Sequence, residues 1–345
     1  MTTDLALIAD IGGTNARFAL VDLAAPRAEI RQPQSLCNAD FASLQHAANH
    51  YLQSVGAKPK RAAIAVASPV AGDEIRLTNR AWSFGREELR NALGLDELRL
   101  LNDFGAIGWA VQALQPDERI ALYGQVAEPM VGPITVLGPG TGLGVGLLVG
   151  SQADGWHVVE TEGGHVSFAP QGDEEHLVAR WFTARHGRVS NERVLCGKGL
   201  SQVDAILRGA AIGQEPQLRE PADIVEAALA ATDVSARRAL ARFCAVLGSV
   251  AGDCALVHGA RTVVIAGGMV PRFVPFLRSS AFRERFLAKG RFAAWLESVA
   301  IHVITHPHPG LLGAAVALRN VGAATAASSS PGARRHGGSH RDDSP

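Results

Sequence analysis

Apolar residues fall in short unbroken runs near the start of the chain and in longer, helically spaced stretches further on. Leu5 to Asp10 is apolar and short, the signature of a buried strand. After the turn Ile11-Gly12-Gly13-Thr14-Asn15, Arg17 to Val21 alternates back into a second strand. The unit recurs: Pro133 to Leu137 reads as a strand, Gly138-Pro139-Gly140-Thr141-Gly142 as a turn and Val145 to Val149 as a strand. Two copies of strand, Gly-Thr loop and strand, about one domain apart, predict an internal duplication of an α/β unit. Further strands are predicted at Ala62 to Ala67, Arg99 to Leu101 and Thr262 to Ala266, the last running into Gly267-Gly268. Helical spacing covers Phe41 to Leu52, Asp223 to Ala231, Ser235 to Val257 and Leu311 to Asn320. Strands alternating with helices argue for an α/β fold. Over 322–345 the chain turns to Ala, Ser, Gly, Pro, His and Arg, which predicts a disordered tail.

Composition narrows the function classes. A length of 345 residues suits two domains or one large lobed one. Apolar residues at 47% and charged residues at 19% describe a soluble globular protein. Lys+Arg and Asp+Glu both number 33, so no bulk positive charge is available to hold nucleic acid or an anionic membrane. Cys37, Cys196, Cys244 and Cys254 are scattered, which argues against a disulfide framework or zinc knuckle. With no leader and no long uncharged apolar run, the expectation is a cytoplasmic protein without a membrane partner. Pro307 and Pro309 keep His302, His306 and His308 off a helix, so a zinc site there is not expected.

The chemistry gathers in the glycine loops. Adjacent Gly12 and Gly13 let backbone N–H groups face an anion without Cβ obstruction, while Thr14 and Asn15 add side-chain donors. Asp10, at the strand end, is placed to hold a metal-bound water; a plain hairpin turn is the competing reading. The loop Gly138 to Gly144 lacks both the Walker lysine and the dinucleotide spacing, and it leads into a strand. Two such hairpins facing each other could clamp a triphosphate, with Gly267-Gly268 suited to a base or ribose. Asp103 follows an apolar strand, at the end where α/β sites gather, and could take a proton from a substrate hydroxyl. Asn102 could bind the same sugar, or the pair could simply cap the helix that follows. Glu162, His165 and Glu192 offer the mixed donors and acceptors that polyols need, though His165 could equally be a core histidine and Ser190 to Arg193 a helix start.

Together these segments resemble one family. Asp10 to Arg17, Leu77-Thr78-Asn79, Leu101 to Phe104, Gly138 to Gly144, Glu162 to His165, Glu192 to Leu195, Ala266 to Pro271 and Pro309 to Gly313, in that order, resemble bacterial glucokinase over about residues 5 to 321. The chain does not resemble the ROK branch of sugar kinases, since no cysteine cluster follows His165. The resemblance implies a two-lobed actin-like (ribonuclease-H-like) ATPase fold with an interlobe cleft. It implies a smaller lobe over 1–113 plus 309–321, a larger one over 114–308, and a homodimer. It implies transfer of a phosphoryl group from ATP, with Mg²⁺, to the 6-hydroxyl of glucose, Asp103 being the general base. Asn79, Asn102, Asp103, Glu162, His165 and Glu192 would hold the sugar. Asp10, Ile11, Gly12, Gly13, Thr14, Asn15 and Arg17 would hold ATP together with Gly138, Gly140, Thr141, Gly142, Gly267 and Gly268. Asp10 would reach Mg²⁺ through water. A glucose-binding sensor on the same fold is the alternative, and intact Asp103 and both Gly-Thr loops argue against it.

Overall fold

The computed structural model describes residues 4–68, 70, 72–77, 82–124 and 129–328, of which 321–328 are described by backbone alone. The first seven strands are β1 (Leu5–Ile11), β2 (Asn15–Asp22), β3 (Ile30–Cys37), β4 (Arg61–Val66), β5 (Glu74–Arg76), β6 (Ser83–Gly85) and β7 (Glu97–Asn102). The other six are β8 (Arg119–Tyr123), β9 (Ile134–Pro139), β10 (Leu143–Ser151), β11 (Gly155–Thr161), β12 (Thr262–Ile265) and β13 (Ala300–Ile304). Two main sheets result, in the orders β3-β2-β1-β4-β7 and β11-β10-β9-β12-β13-β8, while β5 and β6 pair separately.

Strand order and direction repeat. In the first sheet β1 pairs antiparallel with β2 and β2 with β3, then β1–β4 and β4–β7 run parallel. In the second, β9–β10 and β10–β11 are antiparallel and β9–β12 and β12–β13 parallel, with β8 added at the edge. The two predicted Gly-Thr hairpins, β1–β2 and β9–β10, occupy equivalent places in the two sheets.

β1 is apolar from Leu5 to Ala9 because both its faces are covered there, and Asp10 breaks the run at the end that meets the glycine loop. Leu7, Ala9 and Ile11 join a core with Phe18, Ile64 and Tyr51, the last from the helix Leu44–Val55. Ser43 caps that helix through the His46 amide, so it starts three residues after the predicted Phe41. On the opposite face Ala6 and Ile8 join Ala63, Ala65, Leu311, Leu312 and Ala315, and the same core continues into Val136, Leu148 and Val264 of the second sheet. Two helices fill this layer, Asp103–Val111 after β7 and Pro309–Ser328 after β13. The later helix lies on β1 and β4, the earlier one on β10 and β11. Gly313 brings the pair together: a Cβ there would fall on the Ala106 carbonyl oxygen.

The outer face of the second sheet is covered by helices between 172 and 287, around Val234–His258. That helix is long and apolar enough to cross a membrane, but two-thirds of its apolar stretch is buried, and Phe243, Val246, Leu247 and Val250 sit in the core. The four cysteines are free thiols. The last helix runs on to Ser328, past the 322 boundary expected from composition, because an Ala-rich run favours helix; 329–345 lie outside the described residues.

Candidate active site

β7 ends at Asn102 and a helix begins at Asp103. Asn102 is the N-cap: its Oδ1 accepts from the amides of Phe104 (2.9 Å) and Gly105 (3.2 Å), and its Nδ2 donates to the Ser68 carbonyl at 3.4 Å. The capping reading of Asn102 is therefore observed, and one N–H of its Nδ2 goes to Ser68. Asp103 Oδ1 accepts from the Phe104 amide at 2.8 Å. Burial pushes the Asp103 carboxyl up to about 6, the Phe104 amide opposes that rise, and the Asp10 and Glu162 carboxylates add to it. A carboxylate poised there is suited to accept a proton near neutral pH.

On one side lies the first glycine loop. Gly12 N–H donates to the Asn15 carbonyl at 3.0 Å, and Asn38 ties the loop down through Asn38 N to Thr14 O (2.9 Å) and Asn38 Nδ2 to Gly12 O (2.8 Å). Asn38 is buried and was not among the sequence candidates; nothing local in the sequence marks it. Asp10 and Arg17 face each other in register and pair at 3.3 Å. Burial raises the Asp10 carboxyl, with Arg17 and then His308 opposing. Gly310 of the last helix leaves room for that carboxylate, since a Cβ would stand 2.8 Å from Asp10 Cγ.

The second loop is built alike. Gly140 N–H donates to Gly142 O at 2.8 Å, and Gly197 N–H donates to Gly140 O at 2.9 Å. At Gly140 and Gly268 an added Cβ would meet nothing within 4 Å, so both face open space. Gly267 has φ +99° with the Pro139 carbonyl against its Cα, which only glycine permits.

The sugar candidates converge on this second loop. His165 Nε2 lies 3.9 Å from Glu162 Oε2 and 3.9 Å from Glu192 Oε1. Glu192 Oε2 accepts from Leu143 N–H at 3.0 Å and occupies the space a side chain at Gly142 would take. His165 is 57% exposed, so the core-histidine alternative does not hold. Its loop is fixed by Thr161 Oγ1, which donates to Val145 O at 2.8 Å and accepts from Gly163 N–H at 3.3 Å, and by Arg188, whose guanidinium donates to His165 O. Glu160 fills the space above Gly105, and its carboxylate is supported by the Asn102 backbone N–H. Asn79 lies outside the described residues.

No group of three or more His, Cys, Asp or Glu among the described residues could cage a metal. His302 is buried in β13, where burial and Arg119 push it down to about 4; His306 lies 3.5 Å from Glu118 instead. A hard divalent cation that arrives on a nucleotide needs only one or two carboxylates and keeps its waters. Asp10, a single carboxylate at the root of the first glycine loop, fits that requirement.

Comparison with known proteins agrees in one direction. A family model described as Glucokinase matches residues 7–321. A glucokinase of Citrobacter koseri is 42% identical over 320 residues, covering 92% of this chain and 98% of its own. One of Tolumonas auensis is 42% identical over 316 residues, covering 91% and 96%. A crystal structure of glucokinase from an Antarctic psychrotroph superposes with a TM-score of 0.78 at 36% identity, covering 92% of this chain and 100% of that one. Glucokinase from Balamuthia mandrillaris in complex with glucose shares the fold, with a TM-score of 0.75 at 21% identity and 92% and 94% coverage.

Proposed function

This chain belongs to the glucokinase family, and on that premise we propose how its residues carry a phosphoryl group from ATP to glucose. The reaction forms a bond from the 6-hydroxyl oxygen to the γ-phosphorus and breaks the bond to the β-phosphate oxygen, which leaves with its electron pair as ADP. Asp103 takes the hydroxyl proton. Asn102, Glu162, His165 and Glu192 hold the sugar hydroxyls, with Asn79; Asn102 also fixes the Asp103 turn. The loops at Asp10–Arg17 and Gly138–Gly142 hold the phosphates, and Gly267 and Gly268 lie by the nucleoside. Asp10 would hold Mg²⁺ through water, and the ion arriving with ATP would supply charge neutralisation at the phosphates.

The repeated strand order supports a two-lobed actin-like fold, with a smaller lobe over 1–113 plus 309–321 and a larger one over 114–308. Closure of those lobes over glucose would exclude the water that competes as acceptor. The absence of cysteine after His165 supports a place outside the ROK branch.

The observation that carries this reading is Asp103: a carboxylate raised to about 6, with Asp10 of the phosphate loop and Glu162 of the sugar loop both acting on it. Asp103→Asn should keep glucose affinity by calorimetry and lose turnover by about 10²-fold or more in an assay that reads glucose 6-phosphate and ADP together. Near-normal turnover would remove Asp103 from the role of base. Glucose binding without turnover in the unmodified protein would point to the sensor.

A further inference from the structure

The helix that opens with Asp103 lies on the second sheet through residues that leave it close: Gly108 packs against Val158 and Leu148, and Gly105 against Glu160. Phe104 goes further. Its ring rests on bare backbone at the root of the second glycine loop. At Gly144 an added Cβ would overlap the ring, 2.6 Å from Cε2. At Gly138 it would stand 3.0 Å from the same Cε2 and 3.0 Å from Ala266 Cβ, and at Gly146 3.7 Å from Cδ1. Gly138 and Gly144 are register partners across β9–β10, and Gly146 is two residues along β10, on the same face. Three glycines and one alanine thus form a slot the width of one aromatic ring, on the hairpin that carries the Gly140-Thr141 loop.

The other end of Phe104 is equally committed. Its amide donates to Asp103 Oδ1 at 2.8 Å and to Asn102 Oδ1 at 2.9 Å. A ring that merely filled the core would pack as well against side chains. Here one residue touches both parts of the reaction machinery.

We propose that Phe104 is a positioning residue, which locks the Asp103 carboxylate in register with the phosphate hairpin by seating its ring in the Gly138–Gly144–Gly146 slot. The inference rests on the reading of Asp103 as base. Phe104 touches no reacting atom; it acts through the amide it donates and through the backbone it rests on. A shift of Phe104 moves the base relative to the phosphate, and misplacement of that order costs rate steeply.

The test uses Phe104→Leu, Phe104→Met as a variant closer in volume, Gly144→Ala and the double variant Phe104→Leu/Gly144→Ala. Each is measured for kcat, for glucose affinity by calorimetry, for the pH profile and for Tm. Either Phe104 variant should lower kcat about tenfold or more with glucose affinity within about threefold. The acid limb should move to higher pH, because a residue 104 that shifts in its slot carries its backbone N–H away from the carboxylate while the Asp10 and Glu162 charges still face it. Gly144→Ala should also lower kcat, and adding Phe104→Leu to it should cost less than the product of the two single effects, since the smaller side chain vacates the space. Unchanged kcat and pH limb in both Phe104 variants would overturn the proposal. So would independent, multiplying effects in the double variant, or losses of turnover and glucose binding in proportion to a lowered Tm. If Asp103→Asn itself retained turnover, the base assignment would fail on its own, separately from the Phe104 result.

Discussion

Asp103 pays for its poise in stability. Its pKa in the fold, about 6, lies above the ordinary 3.8, so burial disfavours the ionised form. The stability it contributes is present below pH 4 and is lost as pH rises through 6. Asp103→Asn should therefore melt at a higher temperature than the unmodified protein at pH 8, with the gap closing towards pH 4, as read by calorimetry across that range. In the unmodified enzyme kcat/KM should fall below about pH 6, where Asp103 is protonated. Asp103 could be singled out in the sequence through the family resemblance; taken alone, a carboxylate right after an apolar strand could as well have capped the helix that follows. That Asn102 caps the turn could not be told without the geometry of the turn itself. Phe104 was invisible as anything but an apolar residue, because its slot comes from Gly138, Gly144 and Gly146, and only the β9–β10 register brings them onto one face.

At the scale of elements, the helix pair Asp103–Val111 and Pro309–Ser328 joins the layers of the two sheets. Gly313 makes it possible by presenting bare backbone to the Ala106 carbonyl. Gly313→Ala should force the helices apart and cost about 1–3 kcal/mol in denaturant unfolding, against the small gain alanine brings to an exposed helix. An unchanged midpoint would mean the pair can slide to make room. The hairpins were readable because Gly-Thr turns between apolar runs have few other meanings. Helix ends were less so: Ser43 as N-cap moved one start to Leu44, a capping preference that apolar periodicity does not carry.

For the whole molecule, the duplicated hairpins foretold a duplicated architecture, and both sheets share one strand order. The resemblance implied that 309–321 returns to the first lobe; what the sequence did not reveal is the reciprocal half of that exchange, the helix Asp103–Val111 lying on β10 and β11 of the second sheet. Periodicity marks the apolar face of a helix but not the sheet that receives it. Removing 309–345 should thus unfold the first sheet as well, since Leu311, Leu312 and Ala315 complete the core with Ala6, Ile8 and Ala63; loss of protease resistance in residues 5–102 would report it. The same exchange sets a timetable during synthesis. Arg99 at the end of the first sheet meets its partner, the Ala317 carbonyl, 218 residues later. At a ribosome's usual pace that is roughly ten to forty seconds in which one apolar face of a finished sheet has no cover, a window for chaperones to hold it.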